Sequence, residues 1–129
     1  MSGPVPVTVV IAAHNESANI AACVRSVAWA AEVLVVENDS GDDTVARATA
    51  AGATVFSHPF HTIGGQRNAA IGRAGQPWIL VLDADERASP ALGDEVARRI
   101  GEPGPEAYRV SRRNFLLGRE IRHGGWDRD

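Results

Sequence analysis

Asp83, Asp85 and Glu86 follow directly on the apolar run at residues 78–82 in the stretch WILVLDADE. Two carboxylates separated by a small Ala84 could hold one divalent cation between themselves and a phosphate. Magnesium-type ions take one or two carboxylates and complete their shell with phosphate oxygens and water. The plainer alternative is a solvated acidic turn, because Asp-x-Asp is frequent by chance. The residues before it favour something more specific. Five apolar positions without alternation are the pattern of a strand buried on both faces. Its carboxyl end is where an open α/β sheet binds ligands.

Two more acids stand at comparable places. Glu16 lies in AHNES, just after the β-branched run VPVTVVIAA at residues 5–13, and Glu37 closes EVLVVE at residues 32–37 and opens ENDSGDDT. The elements that must position these acids alternate. Strands are expected at 5–13, 32–37, 53–57, 78–82 and 107–110. Pro6 near the start of the first does little harm there. Helices are expected from an N-cap at Ser17 with a face of Ile20, Cys23, Val24, Val27 and Ala31, then at 43–51, at 66–74 after a loop at 58–65, and from Ser89-Pro90 to about 100. Cys23 on that helical face reads as a small core residue rather than a nucleophile. The alternation predicts an α/β fold, a mainly parallel sheet flanked by helices, in one domain over 1–129. In such a sheet the carboxyl ends of the strands share one edge, so the three acidic ends could converge on one crevice. Acids near the first two strands could accept hydrogen bonds from a base or from ribose hydroxyls.

Composition removes several other classes. The 129 residues are 44% hydrophobic and 22% charged with a formal net charge of −3, which makes no general case for nucleic-acid binding. All 13 basic residues are Arg. The single Cys23 excludes a disulfide framework and a cysteine zinc site, and His58, His61 and His123 lack ligand spacing. With no signal-peptide pattern and no spanning segment, a cytoplasmic setting is the expectation. Neither GxGxxG nor GxxxxGK[ST] occurs, so phosphates would need metal and Arg rather than a glycine cradle.

Taken together, AHNE, VVENDSGDDT, GGQRNAAIGRA and ILVLDADE, in this order and spacing, resemble the GT-A glycosyltransferases of family 2, most of all the bacterial branch that adds sugars to lipopolysaccharide core. The resemblance implies a nucleoside-diphosphate sugar donor, UDP-linked by preference, a divalent cation (Mn2+ or Mg2+), inversion by direct displacement, and a saccharide or glycolipid acceptor. By position it implies that Glu16 and Glu37 contact the nucleoside, Arg67 the diphosphate side, Asp83 the ribose and metal, and Asp85 the metal. His14 and Asp39 depart from the family's usual residues. His14 either packs on the base or is a strand-end polar residue, and Asp39 replaces the usual Gly of the second-strand loop. GGWDRD resembles the family's GGW-x-x-D, which makes Asp129 the candidate catalytic base, and Trp126 either stacks on an acceptor sugar or anchors the domain edge. The segments that normally follow Asp129 are absent, so a shortened chain lacking the acceptor side is expected. The Arg-rich stretch 107–129 reads either as an edge meeting anionic headgroups at the inner face of the membrane or as a solvated strand and hairpin. Two other functions stand beside the transferase. One is a nucleotidyltransferase, although AAHNES lacks its phosphate signature; the other is a nucleotide-binding remnant or interaction module.

Overall fold

A computed structural model describes residues 3–38, 40–59 and 62–102, and the backbone of residues 107–109 and 116–119. Its elements are β1 (Val5–Ala13), α1 (Ile20–Ser26), β2 (Ala30–Glu37), α2 (Thr44–Ala51), β3 (Thr54–Ser57), α3 (Ile63–Ile71), β4 (Trp78–Asp83), α4 (Pro90–Ile100), β5 (Ala107–Arg109) and β6 (Leu116–Arg119). They form one sheet in the order β3-β2-β1-β4-β6-β5. The first four strands in that order run parallel, and β6 pairs antiparallel with both β4 and β5. The α/β, mainly parallel, helix-flanked architecture is therefore the one the alternation implies.

β1 is the pivot. The chain builds outward through β2 and β3, then returns through α3 to lay β4 against the other side of β1. That reversal of direction is the topological switch point, at the carboxyl ends of β1 and β4, where open α/β sheets bind their ligands. Both faces of the central strands are covered. Val7, Val9, Ile11, Leu80 and Leu82 pack with Cys23, Val24 and Val27 of the α1 region, Ala48 of α2, and Leu92 and Val96 of α4. Val10, Val36, Ile79 and Val81 pack with Ala70 and Ile71 of α3 on the other face. Ile11, Ile79, Leu80 and Leu82 are fully buried, and each such side chain contributes roughly 1.5–3 kcal/mol of transfer free energy. Double-sided burial is what makes the strand sequences continuous rather than alternating.

Several boundaries differ from the sequence expectation, each for a local reason. The N-cap of α1 is Asn19, not Ser17; the Glu16 carbonyl accepts from the N–H groups of Asn19 and Ile20, closing a turn ahead of the helix. Ala31 does not continue the α1 face but lies exposed in β2, which begins two residues before the expected start. α3 starts at Ile63 and ends at Ile71 rather than spanning 66–74, because the Thr62 hydroxyl accepts from Gly65 N at 2.8 Å and caps it. Gly64 and Gly65, which suggest a loop, occupy the first helical turn. α2 closes on Gly52 in the left-handed region at φ 115°, the position glycine favours after a helix. No helix among the described residues is long and apolar enough to cross a membrane.

α4 packs closely at Gly93 on Trp29, in the turn before β2, where an added Cβ would lie 2.9 Å from three Trp29 ring atoms. Trp29 has little freedom to yield, since its indole N–H donates to the Ser26 carbonyl at 3.1 Å. Gly→Ala in a helix interior ordinarily gains about 1 kcal/mol of propensity, but overpacking costs about 1–3 kcal/mol. Gly93→Ala is expected to lose about 1 kcal/mol net and to lower the melting midpoint by several degrees. A raised midpoint in thermal unfolding would show that the α4–Trp29 contact is slack.

Candidate functional site

The register of the sheet sets the acidic strand ends side by side. Ala13 pairs with Glu37, and Ala12 pairs with Asp83, on strands about 4.8 Å apart. Glu16 follows three residues beyond Ala13, and Asp85 two beyond Asp83.

The loops after β1 and β2 are sewn together residue by residue. His14 Nδ1–H donates to the Asn38 carbonyl. Asn15 sits at φ 52°, a left-handed conformation that Asn tolerates better than most residues. It donates its N–H to Ser40 Oγ at 3.1 Å and accepts from Gly41 N at 2.7 Å through its side chain. Glu16 N donates to Thr44 Oγ1 at 2.8 Å, and Ser17 N to Asp42 Oδ2 at 3.4 Å. Thr44, fully buried, in turn donates its hydroxyl to Asp42. That hydrogen bond, opposed by slight burial and helped by the N–H groups of Thr44 and Ser17, holds the Asp42 carboxyl at about 2. Asp42 is thus a turn residue ahead of α2.

Thr44→Val keeps the shape and removes the hydroxyl, leaving Glu16 N–H without its acceptor. The variant is expected to be about 1–3 kcal/mol less stable in denaturant titration. In an NMR pH titration its Asp42 should move from about 2 toward the ordinary 3.8. An unmoved Asp42 would mean that Thr44 does not hold it.

Glu37 is 6% exposed. Its Oε1 accepts from Ser40 N at 2.9 Å, and its Oε2 accepts from the Ser57 hydroxyl. Burial pushes its carboxyl up, yet the Ser57 and Ser40 hydrogen bonds, with His14 nearby, outweigh burial and hold it below its ordinary value. In this structure Glu37 therefore ties β3 to the loop after β2. The Glu16 carboxylate, half-buried, accepts from Asn19 Nδ2 at 3.2 Å.

On the β4 side, Arg67 from α3 forms an ion pair with Asp83, Nη2 to Oδ1 at 2.9 Å, with both side chains about a third exposed (31% and 30%). Asp85 is exposed and makes no hydrogen bond or ion pair among the described residues. Beneath them lies Cys23, fully buried, its thiol donating to the Asp83 carbonyl at 3.4 Å. Burial pushes that thiol up to about 12; Arg87 opposes the rise, while Glu86, Asp83 and Asp85 add to it. A thiol so held is a core group and no nucleophile.

No three His, Cys, Asp or Glu side chains stand in metal-holding arrangement among the described residues. The donor set instead fits an ion that draws one or two oxygens from protein and the rest from phosphate and water. Asp85 supplies an unpaired carboxylate, and Asp83 a second one held by a cation that an incoming anion can engage. Of the residues singled out in the sequence, the structure thus brings His14, Glu16, Glu37, Arg67, Asp83 and Asp85 to one edge of the sheet. Asp39, Trp126 and Asp129 lie outside the described residues. Asn15, Ser40 and Thr44 carry no signal in the sequence beyond the density of Asn, Ser, Thr and Asp in two short loops, which marks turns without naming partners, and Ser57, the last residue of β3, carries none.

Comparison with known proteins adds an independent line. Residues 8–126 match the family model described as glycosyl transferase family 2. An uncharacterized glycosyltransferase of Rickettsia prowazekii is 42% identical over 87 residues, covering 67% of this chain and 30% of the relative. A lipopolysaccharide core biosynthesis glycosyltransferase of Rhizobium meliloti is 30% identical over 119 residues, covering 88% of this chain and 44% of the relative. The chain thus spans less than half the length of these curated relatives. Among solved structures, glucosyl-3-phosphoglycerate synthase of Mycobacterium tuberculosis in complex with UDP superposes with a TM-score of 0.57 at 27% identity, over 62% of this chain and 34% of that one. The same enzyme in complex with Mn2+, UDP and glucosyl-3-phosphoglycerate superposes at 0.55 and 26%, over 60% and 33%.

Proposed function

The chain belongs to glycosyl transferase family 2, and we propose that it forms the donor-binding domain of an inverting, metal-dependent transferase. The donor is a nucleoside-diphosphate sugar, UDP-linked by preference, and the acceptor is a saccharide or glycolipid of the cell envelope. The observation that carries this reading is the pairing of an exposed, unpaired Asp85 with an Arg67-held Asp83 at the switch point of the sheet. The negative charge of a diphosphate calls for cations, and this edge offers one guanidinium and a carboxylate pair able to hold a divalent ion. The names of the relatives support the envelope acceptor, and the solved complexes with UDP and Mn2+ support the donor and the ion.

Asp83 and Asp85 would hold Mn2+ or Mg2+, which, when bound, neutralises charge on the departing diphosphate. Arg67 binds the diphosphate from the α3 side. Glu16, Glu37 and His14 serve the nucleoside end, and Asp39 would contact the nucleoside as well; Glu37 has both oxygens already engaged, so it acts largely by holding the loop in shape. Asp129 takes the proton from the acceptor hydroxyl as the new bond forms at the anomeric carbon and the bond to the diphosphate breaks. Trp126 offers an aromatic face to the acceptor sugar. The Arg-rich stretch 107–129 would rest against anionic headgroups at the cytoplasmic face of the membrane.

Calorimetric titration of UDP into the 129-residue chain, with and without Mn2+, tests the reading. Binding that is much weaker without the metal is the expected result. Absence of binding by both UDP and GDP to a chain shown folded by circular dichroism would overturn it.

A further inference from the structure

We propose that Glu86 is the positioning residue of this metal site: its carboxylate locks the turn that presents Asp83 and Asp85, and it is not itself a ligand. Glu86 Oε1 accepts from Asp83 N–H at 2.9 Å, and Glu86 N–H donates to the Asp83 carbonyl at 2.9 Å. The two bonds close residues 83–86 reciprocally, by side chain in one direction and by backbone in the other, as a capping box closes a helix start. The same Asp83 carbonyl receives the Cys23 thiol at 3.4 Å, and Ala84 is buried beneath the turn at 5% exposure. Asp83 is therefore fixed at its N–H, its carbonyl and, through Arg67, its carboxylate. Arg87 ties the next residue outward, donating to the Glu86 carbonyl at 3.4 Å and to Asn19 Oδ1 at 3.2 Å, at the start of α1.

The consequence is a rigid turn with one exposed carboxylate, that of Asp85. What position 86 requires is the reach and the acceptor oxygen of the side chain, not its charge. A Gln at 86 keeps both of those properties, and an Ala keeps neither. The inference rests on the reading above that Asp83 and Asp85 hold the ion.

The test is Mn2+ affinity of the UDP-loaded 129-residue chain, read from the free Mn2+ signal in electron paramagnetic resonance. Glu86→Gln is expected to bind Mn2+ as the wild type does. Glu86→Ala should lose about ten- to a hundredfold, the usual effect of removing a group that orients a ligand, with UDP binding in the absence of metal unchanged. Equal loss in Glu86→Gln and Glu86→Ala would overturn the inference in favour of the charge, and so would an unchanged Glu86→Ala. Should Glu86→Ala fail to fold, Glu86→Gln decides alone: wild-type affinity upholds the inference and loss overturns it. Asp85→Asn serves as the control. If it leaves Mn2+ affinity intact, the metal-site reading itself has failed, whereas an effect there with none in Glu86→Ala removes only the role given to Glu86.

Discussion

Asp85→Asn is expected to weaken metal-dependent nucleotide binding by about a hundredfold or more, since an ion that takes only one or two protein carboxylates depends heavily on each. Asn keeps the size of the side chain and one oxygen but loses the charge. Asp85 is exposed and makes no hydrogen bond among the described residues, so the fold should be indifferent to the change, within about 0.5 kcal/mol. The two readouts therefore separate: calorimetry with UDP and Mn2+ should collapse toward the metal-free isotherm, while circular dichroism and the thermal midpoint stay in place. Unchanged manganese-dependent affinity would remove Asp85 from the metal site.

Glu37→Ala is expected to act on both stability and binding. Truncation takes away the acceptor for Ser40 N–H and the Ser57 hydroxyl at a position only 6% exposed. Hydrogen bonds to a charged group contribute about 1.5–3 kcal/mol each and the vacated volume adds to the loss, while relief of the cost of burying the charge offsets part of it, so a destabilisation of about 2–4 kcal/mol should appear in denaturant unfolding. Nucleoside binding should weaken with or without metal, because the loop that the carboxylate shapes lies at the nucleoside end. An effect seen only when metal is present would contradict that placement. The sign of the pH dependence follows from the lowered carboxyl. A group that ionises more readily folded than unfolded contributes its stability above its ordinary value of 4.5, and that contribution fades as pH falls through the folded-state value. The stability difference between wild type and Glu37→Gln should therefore shrink as the solution is acidified below about 4.5.

β4 was the most legible element in the chain, because burial on both faces writes itself as an uninterrupted apolar run and the acids that end it mark the edge. The same physics places β1 and β2 to within two residues, and the Ser89-Pro90 cap places α4. α3 was misplaced by three residues, since Gly64 and Gly65 carry the composition of a loop while the Thr62 hydroxyl, which starts the helix, is a single ordinary residue. Ser17 shows the reverse case: a good capping type that lies inside a turn closed by the Glu16 carbonyl on the N–H groups of Asn19 and Ile20, leaving Asn19 to begin α1. The antiparallel turn-back of β6 onto β4 could not be read either, for pairing partners far apart in the chain leave no local periodicity. At the site, the acids and Arg67 were readable by type and order. What Asn15, Ser40, Thr44 and Glu86 do was not, because each acts through hydrogen bonds to backbone groups whose positions only the folded chain defines.

The central claim is that the carboxyl ends of β1 and β4 hold a divalent ion against a nucleoside diphosphate. Anomalous scattering from manganese in crystals grown with Mn2+ and UDP tests it most directly. A manganese peak is expected between the Asp83 and Asp85 carboxylates and the diphosphate, with Arg67 in contact with the phosphates. A nucleotide bound there without manganese, or manganese bound away from Asp83 and Asp85, would contradict it.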